Sequence, residues 1–504
     1  MKPLFNQVKI NRPKTNAFDL SQEKKLSLNM GELVPIMVQE ILPGDRFKVT
    51  SEMLVRFAPM LAPMMHRVNA YTHFFFVPNR LVYDEWQNYI TGGADGTLSP
   101  AFPTISVQEA LKAQFTSGKL PDYMGIPSVD SGTVIQNLNI NALPFRAYQL
   151  IYNEYYRDQT LTTAVPITKN TTVTVGEQAE LTTLRKRSWE KDYFTSSLPW
   201  TQRGSDVNLP TTLQYKNPPL ATFTATPGGA ETIKVSAGTQ TTSLMGSGTG
   251  GVITKLDNLT SVDITVNNLR RALKLQEWLE RNALGGSRYI EQILSHFGVK
   301  SSDARLQRPE FLGGGKTPVV VSEVVSTVKE ATNPQGNMAG HGIAVGRNNG
   351  FSKYFEEHGY VIGIMSVMPR TAYQQGLPRM YSKADRYDFY WPEFANLGEQ
   401  AILKKELYYD ITNAVNDNTF GYTPRYAEYK FNNSSVHGDF RTTLNFWHMG
   451  RIFAANPSLN ATFVESDPTN RVFAVVDSSD KLYVQLYNDI KAIRPMPVFG
   501  TPML

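Results

Sequence analysis

Apolar residues gather in short β-branched and aromatic stretches near both ends of the chain, and recur with a helical period in several pieces between them. Val34 to Ile41, Asp45 to Phe57 and Arg67 to Val77 are rich in β-branched and aromatic residues. Pro43-Gly44-Asp45 supplies a turn between the first two, so three successive strands are predicted. Helical pieces follow. Asn79 can cap a helix that runs through Trp86 to Ile90 and stops at Gly92-Gly93. Ser106-Val107-Gln108-Glu109 has the form of a capping box ahead of Ala110 and Leu111. Pro144 opens a segment with Ala147, Leu150, Ile151 and Tyr155 at helical spacing. The clearest helix runs from about Asn268 to Leu284, with Leu269, Leu273, Leu279 and Ala283 on one face and Gly285-Gly286 at its end. A second helix, Tyr289 to Phe297, stops at Gly298.

Short strands return afterwards: Pro318 to Val328, Tyr360 to Val367, Tyr387 to Trp391, Thr443 to Trp447, Arg471 to Val476 and Leu482 to Tyr487. Strands at both ends of a chain, with long excursions between, suggest one sandwich closed by distant segments. The predicted fold is mainly β, a single eight-stranded jelly-roll β-sandwich with large loop and helix insertions. The expected organisation is an extended basic arm over residues 1–30 and a jelly-roll domain over 31–504. That domain carries helical insertions at 79–160 and 267–298 and a surface protrusion at 214–263. The arm is extended because Pro3, Asn6, Asn11, Pro13 and Asn16 punctuate it, and its first 25 residues set Lys2, Lys9, Arg12, Lys14, Lys24 and Lys25 against only Asp19 and Glu23. The protrusion is rich in Thr, Gly and Ser, with only scattered large apolar residues such as Leu220, Phe223 and Ile233. So long a segment is more often a functional projection than a passive connection, with disordered linker as the competing reading.

Composition narrows the function. Charged residues make up 19% of 504, below the roughly 25% usual for soluble domains, which suggests surface covered by other protein. Aromatics reach 11%, and interface cores favour them, although most must fill internal cores. The absence of cysteine removes disulfides, thiolate metal sites and cysteine nucleophiles. The opening Met1 to Gln7 lacks the apolar run of a signal peptide, and no stretch is long enough for a bilayer helix. A net charge of +5 is too small for a protein coated in positive charge but fits one limited surface facing nucleic acid.

Catalytic motifs fail on context. Gly246, Gly248 and Gly251 lack the strand and helix that a dinucleotide fingerprint needs. Gly315-Lys316-Thr317 looks like the end of a phosphate-binding loop, but Glu310 stands where that loop requires glycine and Pro318 where its helix should begin. His66 and His73 are an odd number apart, so one strand would point them to opposite faces. Glu356-Glu357 and Asp385/Asp388 read as salt-bridging pairs. No enzyme activity, metal or cofactor is expected. The runs Trp189 to Phe194 and Tyr387 to Trp391 suit strand or subunit packing better than base stacking.

Several long phrases carry a family resemblance: Leu42-Pro43-Gly44-Asp45, His73-Phe74-Phe75-Phe76-Val77-Pro78-Asn79-Arg80, Asp192 to Trp200, Ser295 to Val299, Asp303 to Glu310, Tyr373 to Leu377, Arg386 to Pro392 and Arg494 to Pro502. Together they resemble the major capsid protein of the Microviridae, especially its gokushovirus-like branch, in order along nearly the whole chain. The resemblance implies a virion protein, assembled in the bacterial host cytoplasm into a T=1 icosahedral homo-oligomer around circular single-stranded DNA. Its implied partners are a scaffolding protein, a DNA pilot protein, often a small basic DNA-binding protein, and a receptor on the host surface. A protrusion at the threefold axes is implied at 214–263. Lys2, Lys9, Arg12 and Lys14 are the candidate nucleic-acid contacts. Thr222, Thr226, Thr239, Thr241 and Thr249 are candidate receptor contacts through their hydroxyls. Arg270, Arg271, Trp278 and Arg281 are candidate subunit contacts on the long helix. A carbohydrate-binding β-sandwich adhesin is the alternative, and a β-sandwich hydrolase a distant third.

Overall fold

A computed structural model of the chain describes residues 14–107, 109–129, 138–205, 207, 266–286, 288–327, 335–412 and 415–499. The chain divides into two compact units, Met1–Thr201 with Asn282–Leu504, and Gln202–Arg281. The first begins with β1 (Asn16–Asp19), β2 (Gln22–Leu28), β3 (Val34–Ile41), β4 (Arg46–Phe57) and β5 (Val68–Pro78). An insertion then supplies α1 (Trp86–Thr91), β6 (Thr104–Val107), α2 (Leu120–Tyr123), β7 (Leu138–Asn141), α3 (Leu143–Ile151) and α4 (Val175–Leu181). Helix α5 (Val266–Gly285) belongs for most of its length to the second unit, and α6 (Tyr289–Phe297) to the first. Next come β8 (Glu310–Pro318), β9 (Val320–Val325), β10 (Met338–Tyr354) and β11 (Gly359–Pro369). The chain continues through β12 (Glu399–Leu403), α7 (Lys404–Leu407), β13 (Thr419–Pro424) and α8 (Ala461–Val464) to β14 (Leu482–Arg494).

Two antiparallel sheets dominate. One has the order β14-β4-β10-β9, with β1 and β2 in succession along the outer side of β14. The other has the order β3-β11-β5-β8. Their facing sides share one core, in which Phe47, Val49 and Val55 of β4 and Val484, Leu486 and Ile490 of β14 meet Phe74 and Phe76 of β5 and Val361 and Met365 of β11. Buried Asn488 joins the sheets, accepting from the Ser51 hydroxyl at 2.9 Å and donating to the Ile36 carbonyl at 3.3 Å.

The two sheets differ in their outer faces, and the patterning says why. Strands β4 and β14 bury every second residue, so the face carrying Lys48, Glu52, Tyr483 and Tyr487 is open. Strand β11 is buried throughout and β5 nearly so. Phe74 and Phe76 point into the sandwich, while Phe75 and Val77 point into a second core beneath α3, against Phe145, Tyr148 and Ile151. A π-helical turn at Tyr152–Tyr156 continues α3. From it the Tyr155 hydroxyl donates to the Pro309 carbonyl at 2.6 Å, and Tyr156 meets His73 Nδ1 at 2.8 Å. Helix α4 is held to α3 by the buried Arg146–Glu177 pair at 3.3 Å and by the Gln149 amide, which donates to the carbonyls of Glu180, Leu181 and Thr183.

His73 makes this layer acid-sensitive. Burial, aided by Arg187, pushes its imidazole down to about 4 from an ordinary 6.5. A histidine with a depressed folded value contributes full stability above pH 6.5 and loses it as pH falls toward 4, because the unfolded chain then binds the extra proton. Melting temperature should therefore fall on acidification from pH 7 to 5, and His73→Gln should flatten that slope. An unchanged slope would place the acid sensitivity elsewhere.

Several expected strands are not found. Tyr387 to Trp391 and Thr443 to Trp447 form 3-10 turns, at Arg386–Asp388, Pro392–Phe394 and Asn445–Trp447, because their rings pack on one another and on neighbouring loops instead of on a ladder. Arg471 to Val476 makes only an isolated bridge, Phe473 to Met60. The first helix is also shorter than expected: a 3-10 turn at Asn79–Leu81 precedes α1, and Gly92 closes it in the left-handed region at φ 75°. Conversely, β8 and β10 are strands the glycines conceal. A Cβ at Gly314 would collide with the Thr72 carbonyl, and one at Gly350 with the Val49 carbonyl, so glycine there permits close pairing instead of a turn.

Candidate assembly surface

A cluster of exposed rings lies beside the β12–β13 hairpin, in the first unit. Its base is apolar: Tyr193, Phe194, Tyr373, Ile402, Leu407 and Phe420 form a separate small core. Buried Glu406 sits at the edge of that core. It accepts from the Leu403 N–H at 2.9 Å and the Tyr193 hydroxyl at 2.9 Å, and pairs with Arg379 at 3.2 Å. Burial pushes this carboxyl up, against the three partners that hold its charge. Glu428 extends the chain of ions, 3.9 Å from Arg379 and 3.5 Å from Lys383, and accepts from the Gln400 amide at 2.6 Å. The other end of Gln400 accepts the N–H of Tyr426, whose φ of 62° is rare for an aromatic residue. These anchors fix the segment 379–397 to the hairpin.

On that footing the rings and cations interleave. Tyr390 packs on Tyr426 at 4.9 Å and Tyr429 at 6.2 Å, edge to face. Lys383 lies over Tyr429 at 4.1 Å and Phe389 at 5.5 Å, Arg386 over Tyr387 at 4.7 Å, and Arg425 over Tyr426 at 5.1 Å. The Trp391 indole donates to the Arg386 carbonyl at 2.9 Å. Yet Phe389 remains 52% exposed, Trp391 46% and Tyr429 56%, with Met380, Tyr381 and Phe431 more exposed still. Rings held this firmly and left this open form a ready-made contact surface, since clustered exposed apolar side chains mark interaction sites. The run Tyr387 to Trp391 signalled it in the sequence, but Met380, Tyr381, Tyr429 and Phe431 are too scattered to have been read with it.

The sequence-selected residues fall elsewhere. Lys14 is exposed and lies two residues before β1, whereas Lys2, Lys9 and Arg12 lie outside the described residues. Thr222, Thr226, Thr239, Thr241 and Thr249, with the whole of 214–263, also lie outside them. Arg270, Arg271, Trp278 and Arg281 are all exposed on α5, within the second unit. Arg281 pairs with Glu277 at 3.3 Å, which also takes Lys274 at 2.6 Å. Of the apolar face expected of α5, Leu269 and Leu273 are exposed, Leu279 is half-buried and Ala283 is buried. No group of three or more metal-ligating side chains and no helix able to cross a membrane occurs among the described residues.

Residues 6–504 match the family described as Capsid protein (F protein). The chain is 38% identical to the capsid protein VP1 of Bdellovibrio phage phiMH2K, over 99% of this chain and 97% of that protein. It is 35% identical to VP1 of Chlamydia phage 1, over 100% and 98%, and 29% identical to VP1 of Spiroplasma virus 4, over 99% and 97%. These relatives are structural proteins of phage virions, not enzymes, and the match runs from end to end. The chain belongs to the phage capsid protein (F protein) family, as a major capsid protein of Microviridae type.

Proposed function

We propose that this subunit assembles with copies of itself into a closed T=1 icosahedral shell around a circular single-stranded DNA genome, on a single eight-stranded jelly roll. The observation that carries the reading is the interleaved ring and cation platform over residues 379–431, a surface suited to burial against a second copy. The jelly roll is supported by strand order. The sheets β2-β14-β4-β10 and β3-β11-β5-β8 interleave early with late strands, as that topology requires. Residues 1–30 serve as a basic arm whose later part adds β1 and β2 to the sheet edge at β14, and 31–504 as the sandwich domain, with insertions at 79–160, 267–298 and 214–263. Lys2, Lys9, Arg12 and Lys14 touch genome phosphates, and Arg270, Arg271, Trp278 and Arg281 meet a neighbouring subunit. A scaffolding protein and a DNA pilot protein accompany assembly in the host cytoplasm. Expression of the chain with the other genes of its phage should yield closed shells by size-exclusion chromatography and electron microscopy. Persistent monomers would contradict the reading and favour an adhesin.

The segment 214–263 serves host attachment in this account. It offers many hydroxyls, Thr222, Thr226, Thr239, Thr241 and Thr249 among them, and few residues able to join a core. Replacing residues 222–260 by a short Gly-Ser linker should leave shells intact and sharply reduce adsorption to host cells. Failed assembly would make the segment a clasp between subunits, and undiminished infection would remove the receptor role.

A further inference from the structure

Several arginines of the first unit are paired with carboxylates, among them Arg80 with Glu357, Arg146 with Glu177, Arg185 with Glu180 and Arg288 with Glu291. Arg67 and Arg370 are not. They meet where β5 begins and β11 ends, joined by a backbone bond of 2.9 Å from the Arg370 N–H to the Arg67 carbonyl. Among the described residues neither guanidinium has a hydrogen-bond or ion-pair partner. Both are exposed and line a cavity of about 560 Å³, which His66, His437 and His448 also line and no carboxylate does.

The surroundings add to the positive charge without neutralising it. Arg441 donates to the Val436 carbonyl at 2.7 Å and Arg471 to the Gly450 carbonyl at 2.7 Å, so two more guanidiniums near the site are bound by neutral groups. Burial pushes the His66 and His448 imidazoles down, and Arg471 acts in the same direction. At neutral pH the free charge at the mouth is therefore that of Arg67 and Arg370. A concave site lined by one sign of charge concentrates counter-ions, and planar guanidiniums match the oxygens of phosphate. Ser434 and Ser435 line the same cavity, the Ser435 hydroxyl 2.9 Å from His437 Nε2, and a serine hydroxyl can donate to a phosphate oxygen. Its volume exceeds what a bare phosphate fills, and Met65 and Phe440 give it an apolar wall on which a flat ring can lie.

We propose that this cavity binds a phosphate-bearing ligand of nucleotide size, its phosphate held by Arg67 and Arg370 and its ring set against Met65 and Phe440. A free nucleotide and one unit of a single-stranded DNA share that chemistry. Calorimetric titration of the full-length subunit with thymidine, thymidine monophosphate and a short oligothymidylate tests the site. The monophosphate should bind at least about tenfold more tightly than thymidine, a gap of roughly 1.4 kcal/mol. The double variant Arg67→Gln/Arg370→Gln should remove that gap, while Arg67→Lys/Arg370→Lys retains part of it. Both arginines are exposed, and circular dichroism checks that the fold is kept in both variants. Tighter binding of the oligothymidylate, with the same dependence on both arginines, identifies the nucleic acid as the source. Equal binding identifies the free nucleotide. Thymidine binding as tightly as its monophosphate, or an unchanged gap in the glutamine variant, would overturn the proposal.

Discussion

Changing Tyr387, Tyr390 and Trp391 together to serine is expected to abolish closed shells while leaving the subunit folded. All three side chains are about half exposed, so the isolated subunit loses little buried area when they are truncated. In an assembled contact the same rings would be covered from both sides, and central aromatic residues of an interface typically contribute about 2–4 kcal/mol each. Every copy carries the change, so the deficit recurs at each equivalent contact of a symmetric shell. Sedimentation should show unassembled subunit with an unaltered far-ultraviolet dichroism spectrum. Shells that form normally but hold less DNA would instead assign the rings to base stacking. Full assembly with a full genome would leave the platform without a role.

The second large effect concerns stability. Phe74→Ala and Phe75→Ala are each expected to cost about 3–5 kcal/mol, the range for deleting a buried phenyl group. Phe74 fills the space between the sheets and packs on Phe351 at 5.4 Å. Phe75 points the other way, against Tyr155 at 4.7 Å and Phe311 at 5.5 Å. Adjacent residues on a strand with one open face would give one large and one small value. Two comparable losses in denaturant unfolding are the signature of a sheet buried on both sides. A small value for Phe75 would mean that the helical insertion does not seal the outer face.

That double burial also explains what could be read from the sequence. Strands β4 and β14 alternate strictly because one face meets water, and their period of two is visible in Arg46 to Phe57 and Leu482 to Arg494. The run Phe74-Phe75-Phe76-Val77 is continuous because both faces are covered, and its β-branched and aromatic content still identified a strand. Helices α3, α5 and α6 were legible from spacing and from glycine stops at Gly286 and Gly298. Glycine misled where it served proximity instead of turning, in β8 and β10. Aromatic content misled in the opposite sense at Tyr387 to Trp391. There β propensity is high, but Pro392 and the ring-on-ring packing with Tyr426 and Tyr429 fold the segment into tight turns. The contact platform combines residues from 379 to 431 that share no period, so only the folded chain reveals it as one surface. The Arg67/Arg370 cavity is hidden for a similar reason, because its cations lie some 300 residues apart and converge only through the pairing of β5 with β11.

The central claim, a shell subunit whose aromatic platform is covered by another copy, is tested most directly by a cryo-electron microscopy reconstruction of the assembled particle. The account predicts a closed icosahedral shell in which Tyr387, Tyr390, Trp391 and Tyr429 lie within about 4.5 Å of a neighbouring subunit. A closed shell in which those rings face bulk solvent on either side of the wall would contradict it.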